Sequence, residues 1–460
     1  MPPVFAYSAA PIAGDWLALV AGLAQQRGFW WLDSAQAGAP LGRFSFAGAD
    51  PAPLPRIGAA PDPLAALRAL LPSARARVAC ADAESSALPF VGGVVTGLAY
   101  ELGARFERVP VAHDDSPLPL DSFALHVDRL FACDHSNAQL WAVALCSAAT
   151  EREAAETARA AACELAASAP RAQWREAQAR PRALGAVRRG FDAQEHAKAV
   201  ALIRERIADG ALYQACLTHR IEAPFDGDAF AYYCALREAN PAPFGAFIAL
   251  PEGAIACSSP ERFLKLDGAR WLETRPIKGT RPRGRDAAVD RAEAAALRAS
   301  EKDRAENLMI VDLARNDLGR VCELGSVHVP ELFAVESYAT VHQLVSTVRG
   351  RLREELDALD AIRAAFPPGS MTGAPKLAAM ALLARIERAR RGLYAGALGY
   401  LDARGGCDLA VVIRSGFLAG GRIALHTGGG IVADSDAAAE WVEAEAKAAA
   451  LLGAAQAVEV

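Results

Sequence analysis

The run YAGALGYLDARGGCDLAVVIRSGFLAGGRIALHT (residues 394–427) holds three strand-like segments, 394–401, 408–418 and 421–427, separated only by short Gly-rich turns. No helix fits between them, so neighbouring strands run antiparallel. The same pattern recurs upstream, with strands expected near 214–222, 244–250, 254–258, 262–266, 326–333 and 341–349. Helices are expected over 192–209, 301–318, 357–365, 376–391 and 436–452, and a polar loop over 275–286. Strands that follow one another without helical crossovers predict an α+β fold of antiparallel sheets with helices outside them, not a doubly wound parallel sheet. Residues 1–147 mix short β-rich runs such as Phe29-Trp30-Trp31-Leu32 with Gly/Pro turns. Residues 148–187 shift to Ala, Arg and Glu and read as a surface helix followed by a polar connection, and 188–458 carry the dense signals.

The 460 residues are 52% hydrophobic and 22% charged, enough for a large core without staples. A net charge of −5 with interspersed signs gives no basic face for nucleic acid, and no apolar run approaches the roughly 18 residues of a membrane span. The opening MPPVFAYSAAPIAGDW lacks the basic and apolar regions of an export signal. Nine cysteines show no CxxC pair or Cys/His metal spacing and fit reduced core thiols. A cytoplasmic enzyme is the expectation. The loop GSMTGAPK (369–376) lacks the Gly-Lys-Ser/Thr ending of a phosphate loop, and no GxGxxG follows a strand.

Two helices present acids at i, i+3: Asp303 and Glu306 in EKDRAENLM (301–309), and Glu440 and Glu443 in EWVEAEAK (440–447), with Lys447 one turn on. Facing each other, they would place four carboxylates around a small space, which calls for a hard cation such as Mg²⁺. The spacing is equally that of solvated amphipathic faces, so it does not establish a metal. Gly428-Gly429-Gly430 can present consecutive backbone N–H groups to an anion, or form a hairpin turn. The loop 369–375 leads into a helix N-terminus, which favours carboxylates. Arg414, inside the apolar run Val411-Val412-Ile413-Arg414-Ser415, needs an anion, either a ligand or a structural partner. The segment TRPIKGTRPRG (274–284) sets Lys278 among Arg275, Arg281 and Arg283; neighbouring cations favour a lysine's free amine, but a basic surface loop looks the same. His342 in TVHQL and Glu261 in SSPERF are open to core or ion-pair readings.

Taken together, NPAPF (240–244), SSPERF, TRPIKGTRPRG, EKDRAENLMIVDLARNDLGRVC, VHQLVSTV, FPPGSMTGAPK, RRGLYAGALGY and GGGIVADSD resemble, in order, the chorismate-utilising family. That family includes component I of anthranilate synthase and of aminodeoxychorismate synthase, isochorismate synthases and salicylate synthases. The N-terminal part is similar more weakly, through Leu32-Asp33-Ser34, Gly42-Arg43-Phe44-Ser45 and GLAYELGARFE, and 148–187 show no match.

The resemblance implies two large packed antiparallel sheets with flanking helices, and a reaction on chorismate. By the same likeness Glu306 and Glu443 match direct Mg²⁺ ligands, and Asp303 and Glu440 match acids that assist through water. Tyr394, Arg414, Gly428, Gly429, Gly430 and Lys447 match residues that hold the substrate carboxylates. Ser370, Thr372 and Gly373 belong to the loop that closes the site. Glu261 matches the acid that protonates the departing C4 hydroxyl, and His342 a histidine near that group. Ser34 matches a residue of an amino-acid effector pocket for tryptophan in relatives. Asp303 stands where many relatives carry the longer glutamate, and Val442 where they carry a second acid.

Two positions separate the reactions within the family. Water-adding relatives carry a lysine base where this chain has Gln214, and anthranilate synthases typically carry Ala where it has Lys278. The resemblance therefore implies that Lys278 attacks C2 and that ammonia then enters at C4, giving 4-amino-4-deoxychorismate. Amination at C2, as in anthranilate synthase, and a non-catalytic chorismate binder are the rival expectations. No Gly-x-Cys-x-Gly elbow with a later His-x-Glu is present, so ammonia is expected from a separate glutamine amidotransferase subunit. The chain ends soon after the family's last helix, and a fused lyase is not expected.

Overall fold

A computed structural model describes residues 3–35, 41–53, 57–72, 78–82, 87–112, 121–174 and 184–457. Its strands form two sheets, of thirteen and ten strands among the described residues, with helices around them. Every pairing is antiparallel except that of Val4–Ile12 with Val78–Cys80 at the edge of the larger sheet. The expected α+β plan is the one observed. Both sheets draw on both halves of the chain. In the larger, Trp30–Asp33 pairs with Phe244–Leu250; in the smaller, Gly93–Leu98 pairs with Ala397–Asp402.

The two strands of that last pair are buried along their whole length, as expected of central strands covered on both faces. Between the sheets, Phe90 stacks on Tyr400 at 4.6 Å, and Phe46 meets both rings edge-on. Pairs of this kind add about 0.5–1.5 kcal/mol each beyond their burial. The Ala-rich helix Glu151–Ala167 lays Ala154, Ala158, Ala161 and Ala162 against the edge strands, the surface helix expected there; residues 175–183 of the polar connection lie outside the described residues.

Four local readings differ from the sequence expectation. The basic stretch after Arg275 is a strand, Ile277–Pro282, paired with Val341–Arg351. The long strand expected over 408–418 is two, Cys407–Val411 and Ser415–Ala419, broken where Arg414 takes a left-handed backbone (φ 52°). The triple glycine lies inside the strand Arg422–Ile431, opposite Thr218, Leu217 and Cys216, and is not a turn. Helices Ala229–Ala239 and Ala287–Ala299 were not expected; each begins at an Asp, at 228 and 286, whose side chain caps the first turn.

One buried ion pair ties these parts together. The Arg391 guanidinium bonds both carboxylate oxygens of Glu387 (2.6 and 2.8 Å) and the carbonyls of Met371 (2.6 Å) and Cys216 (2.7 Å), and lies over the Tyr100 ring. Glu387 in turn accepts the backbone N–H and hydroxyl of Thr218. From the N-terminal half, Glu101 accepts the N–H groups of Arg391 and Gly392. Removing one partner of such a pair strands a buried charge, so Glu387→Ala is expected to cost about 3–5 kcal/mol in denaturant unfolding. Glu156→Ala, at the exposed Arg152–Glu156 pair, is expected to cost under about 1 kcal/mol.

Candidate active site

A cavity of about 490 Å³ opens between the sheets, walled by the helices that carry the two acid pairs. Ser300 caps the helix Glu301–Gly319 and Asp436 caps Ala437–Gln456, which fixes where the acids of each first turns emerge. Asp303, Glu306, Glu440 and Glu443 all line the cavity, so the paired acids do converge. Burial raises the Glu306 pKa, with Asp303 and Glu440 adding to the rise against the pull of Lys278 and Lys302. Burial also works against ionisation of Glu443, but Lys447, 2.7 Å away, outweighs it and holds the pKa below its usual value. Glu440 accepts the Ser435 hydroxyl at 2.8 Å, and Asp303 pairs with Arg281 at 3.0 Å.

Hard carboxylate oxygens gathered around one space suit a divalent cation that keeps waters and substrate oxygens in its shell. Among the described residues no three His, Cys, Asp or Glu side chains close into a cage of their own.

The cavity floor is main chain. A Cβ on Gly430 would sit 3.3 Å from Lys278 Nζ, and one on Gly429 3.1 Å from Glu440 Oε2, so the glycines make room between amine and acid. Lys278 Nζ donates to the Ser370 carbonyl at 3.2 Å. The carboxyl of Glu261 is pushed up to about 7 by burial, against the Ser370 hydroxyl, the Lys278 charge and the Ile277 N–H, all of which favour its anion. Lys278, Ser370 and Glu261 thus meet in one corner. Arg414 also lines the cavity; its guanidinium donates to Asn240 Oδ1 (3.1 Å) and has no carboxylate partner among the described residues, and burial lowers its pKa. Tyr394 is buried against His426, ring centroids 4.8 Å apart, and burial raises its phenol pKa well above the usual value, so it is a protonated donor. Lys447 donates to the Gly428 carbonyl at 3.0 Å.

Other residues singled out in the sequence lie apart from this corner. The arginines around Lys278 are not an unshielded cationic cluster, because Arg275 pairs with Glu336, Arg281 with Asp303 and Arg283 with Asp290. His342 does not line the cavity: strand alternation turns its ring to Asp290 (3.0 Å) and Ser337 (2.8 Å), and the neighbouring Gln343 lines it instead. Thr372 and Gly373 stand behind the wall, where the Thr372 hydroxyl bonds the Pro368 carbonyl and Gly373 (φ 138°) pairs with Ala215. Lys376, first residue of its helix, turns to Asp317 at 2.7 Å. Ser34 lies in a second cavity, of about 440 Å³, and bonds the carbonyls of Phe44 and Pro243. Sequence reasoning missed Cys216, Thr280, Gln343 and His426; only strand parity beside a known cavity residue would have found them.

Residues 43–453 match the family model described as chorismate binding enzyme. The chain belongs to the chorismate binding enzyme family. It is 42% identical over 442 residues to an aminodeoxychorismate synthase of Streptomyces griseus, covering 92% of this chain and 60% of that protein. It is 40% identical over 389 residues to aminodeoxychorismate synthase component 1 of Escherichia coli (strain K12), covering 83% and 80%. Among solved structures, anthranilate synthase component I from Streptococcus pneumoniae TIGR4 superposes with a TM-score of 0.71 at 28% identity, covering 96% and 92%. The chain thus spans about 60% of the length of the Streptomyces relative.

The raised carboxyl gives a ligand-free test of the corner around Glu261. Its proton is held more tightly in the folded chain than in the unfolded one, so the stability it contributes is full below the unfolded pKa, near 4.5, and is lost as pH rises through about 7. Glu261→Gln is expected to gain on the wild type between pH 5 and pH 8, by up to about 3 kcal/mol in denaturant unfolding. A difference that stays constant over that range would contradict the buried, protonated Glu261.

Proposed function

We propose that this chorismate binding enzyme is the synthase component that converts chorismate and ammonia to 4-amino-4-deoxychorismate. The observation that carries the reading is the meeting of Lys278, Ser370 and a buried Glu261, whose pKa burial raises to about 7, in one corner of the cavity. An amine nucleophile beside an acid able to protonate a leaving group is what displacement of a hydroxyl needs. The named relatives in Streptomyces griseus and Escherichia coli support the same choice.

In this reading Arg414 and Tyr394 hold substrate carboxylates, the first because it is a guanidinium with no carboxylate partner among the described residues, the second because it stays a donor. The Lys278 amine forms a bond to C2, both ring double bonds shift by one position, to C1–C6 and C4–C5, and the C4 hydroxyl leaves as water with the proton of Glu261. Ammonia then bonds to C4, both double bonds shift back, and Lys278 departs from C2; the ammonium formed at C4 returns a proton to Glu261. Glu306 and Glu443 would hold Mg²⁺ directly and Asp303 and Glu440 through water, and the ion would supply positive charge for the ring carboxylate. A glutamine amidotransferase partner supplies the ammonia.

Incubation with chorismate, Mg²⁺ and ¹⁵N-ammonium is expected to give a product with nitrogen at C4. Nitrogen at C2 would establish the anthranilate synthase reading, and no turnover by a folded, chorismate-binding protein would establish an inert relative.

For the metal, Glu306→Gln and Glu443→Gln are expected to raise the Mg²⁺ concentration needed for activity far more than Asp303→Asn. Loss of an outer-shell acid typically costs about 10–100-fold. The opposite order in a Mg²⁺ titration would reverse the inner and outer roles.

A further inference from the structure

Among the cavity residues to which the reaction just described gives no task is Gln343. Gln343 is 1% exposed and lines the cavity, yet its side-chain carbonyl oxygen Oε1 is buried with no hydrogen-bond partner among the described residues. A buried acceptor without a donor is costly, and the great majority of such groups in folded proteins are satisfied. Its neighbour His342, by contrast, has both ring nitrogens engaged.

Register puts this amide beside the reacting corner. On the strand Val341–Arg351, Gln343 stands opposite Thr280 and Val345 opposite Ile277, with Lys278 and Gly279 bulged between the two pairs. Ile277 is the residue whose N–H bonds Glu261. Gln343 therefore stands on the strand beside Lys278, and both side chains line the cavity that Glu261 also lines.

The chemistry of the ligand then selects its partner. Chorismate at neutral pH carries two carboxylates, an enol ether oxygen and a single hydroxyl, at C4; only that hydroxyl donates a hydrogen bond. The amine that replaces it is also a donor, at the same carbon. A neutral amide accepts from either without repelling a dianion, and it neither takes nor gives a proton.

Resting on the chorismate reading above, we propose that Gln343 is a substrate-binding specificity residue whose amide carbonyl accepts the hydrogen bond of the C4 hydroxyl, and then of the C4 amine. Holding the O–H in this way leaves an oxygen lone pair free for the Glu261 proton. It also makes the site select for a donor at C4.

The test compares the wild type with two variants that keep side-chain bulk but lack an acceptor, Gln343→Met and Gln343→Leu, each checked for folding by circular dichroism. The readout is the ratio of affinities for chorismate and for the analogue that lacks the C4 hydroxyl. The wild type is expected to prefer chorismate by about 10-fold or more, and the variants to lose that preference while binding the analogue within about 3-fold of wild type. A purely structural residue would weaken both ligands together and leave the ratio unchanged; that result, or a wild type with no preference, overturns the proposal. Wild-type turnover measured alongside keeps the two readings apart. An inactive wild type that does not bind chorismate would sink the function, whereas an active one whose variants keep the ratio would sink only the role of Gln343.

Discussion

The Arg391–Glu387 pair is the constraint on which the site depends, because it fixes from behind two segments that line the cavity. The guanidinium holds the Met371 carbonyl of the loop and the Cys216 carbonyl of the strand Gln214–Pro224, while Glu387 holds Thr218 two residues along. Ser370, adjacent to Met371, is the residue that Lys278 and Glu261 both contact. A fully buried charge is tolerated only when its hydrogen bonds are filled, and filling them here orders the loop as a by-product. Through Tyr100 and Glu101 the same centre reaches the N-terminal half, so the site is finished only when both halves of the chain are in place.

The cavity itself divides charge by depth. Acids from two helices line it together with the half-exposed Lys447, while Lys278 comes from a strand and Arg414 and Tyr394 from the connections beside strands. Burial raises the pKa of Glu306, and the neighbouring Asp303 and Glu440 add to the rise. Among the described residues the Arg414 guanidinium has an amide oxygen, of Asn240, and no carboxylate as its partner. The triple glycine serves the space between, by keeping side chains out of it.

Much of this was legible in the sequence because period and spacing are local properties. Strands without crossovers gave the antiparallel plan, and acids at i, i+3 on two capped helices did end on one cavity. What was not legible depended on parity and on distant partners. A single step along a strand separates His342, locked to Asp290 and Ser337, from Gln343 in the cavity, and a one-residue change of phase is invisible in a strand buried on both faces. The arginines near Lys278 read as a bare cationic cluster because Asp290, Asp303 and Glu336, which neutralise them, come from two helices and a strand further along. Nor does an apolar run announce that Arg414 takes a left-handed backbone that ends the strand and redirects the side chain.

In the proposed reaction Lys278 is a nucleophile toward chorismate, and the intact mass of the protein incubated with chorismate and Mg²⁺, without any ammonia source, reads this out. The expected result is an adduct of chorismate less one water, mapped to Lys278, absent in Lys278→Ala and discharged when an ammonium salt is added. A wild-type protein that aminates chorismate at C4 yet never carries such an adduct under any trapping condition would contradict it.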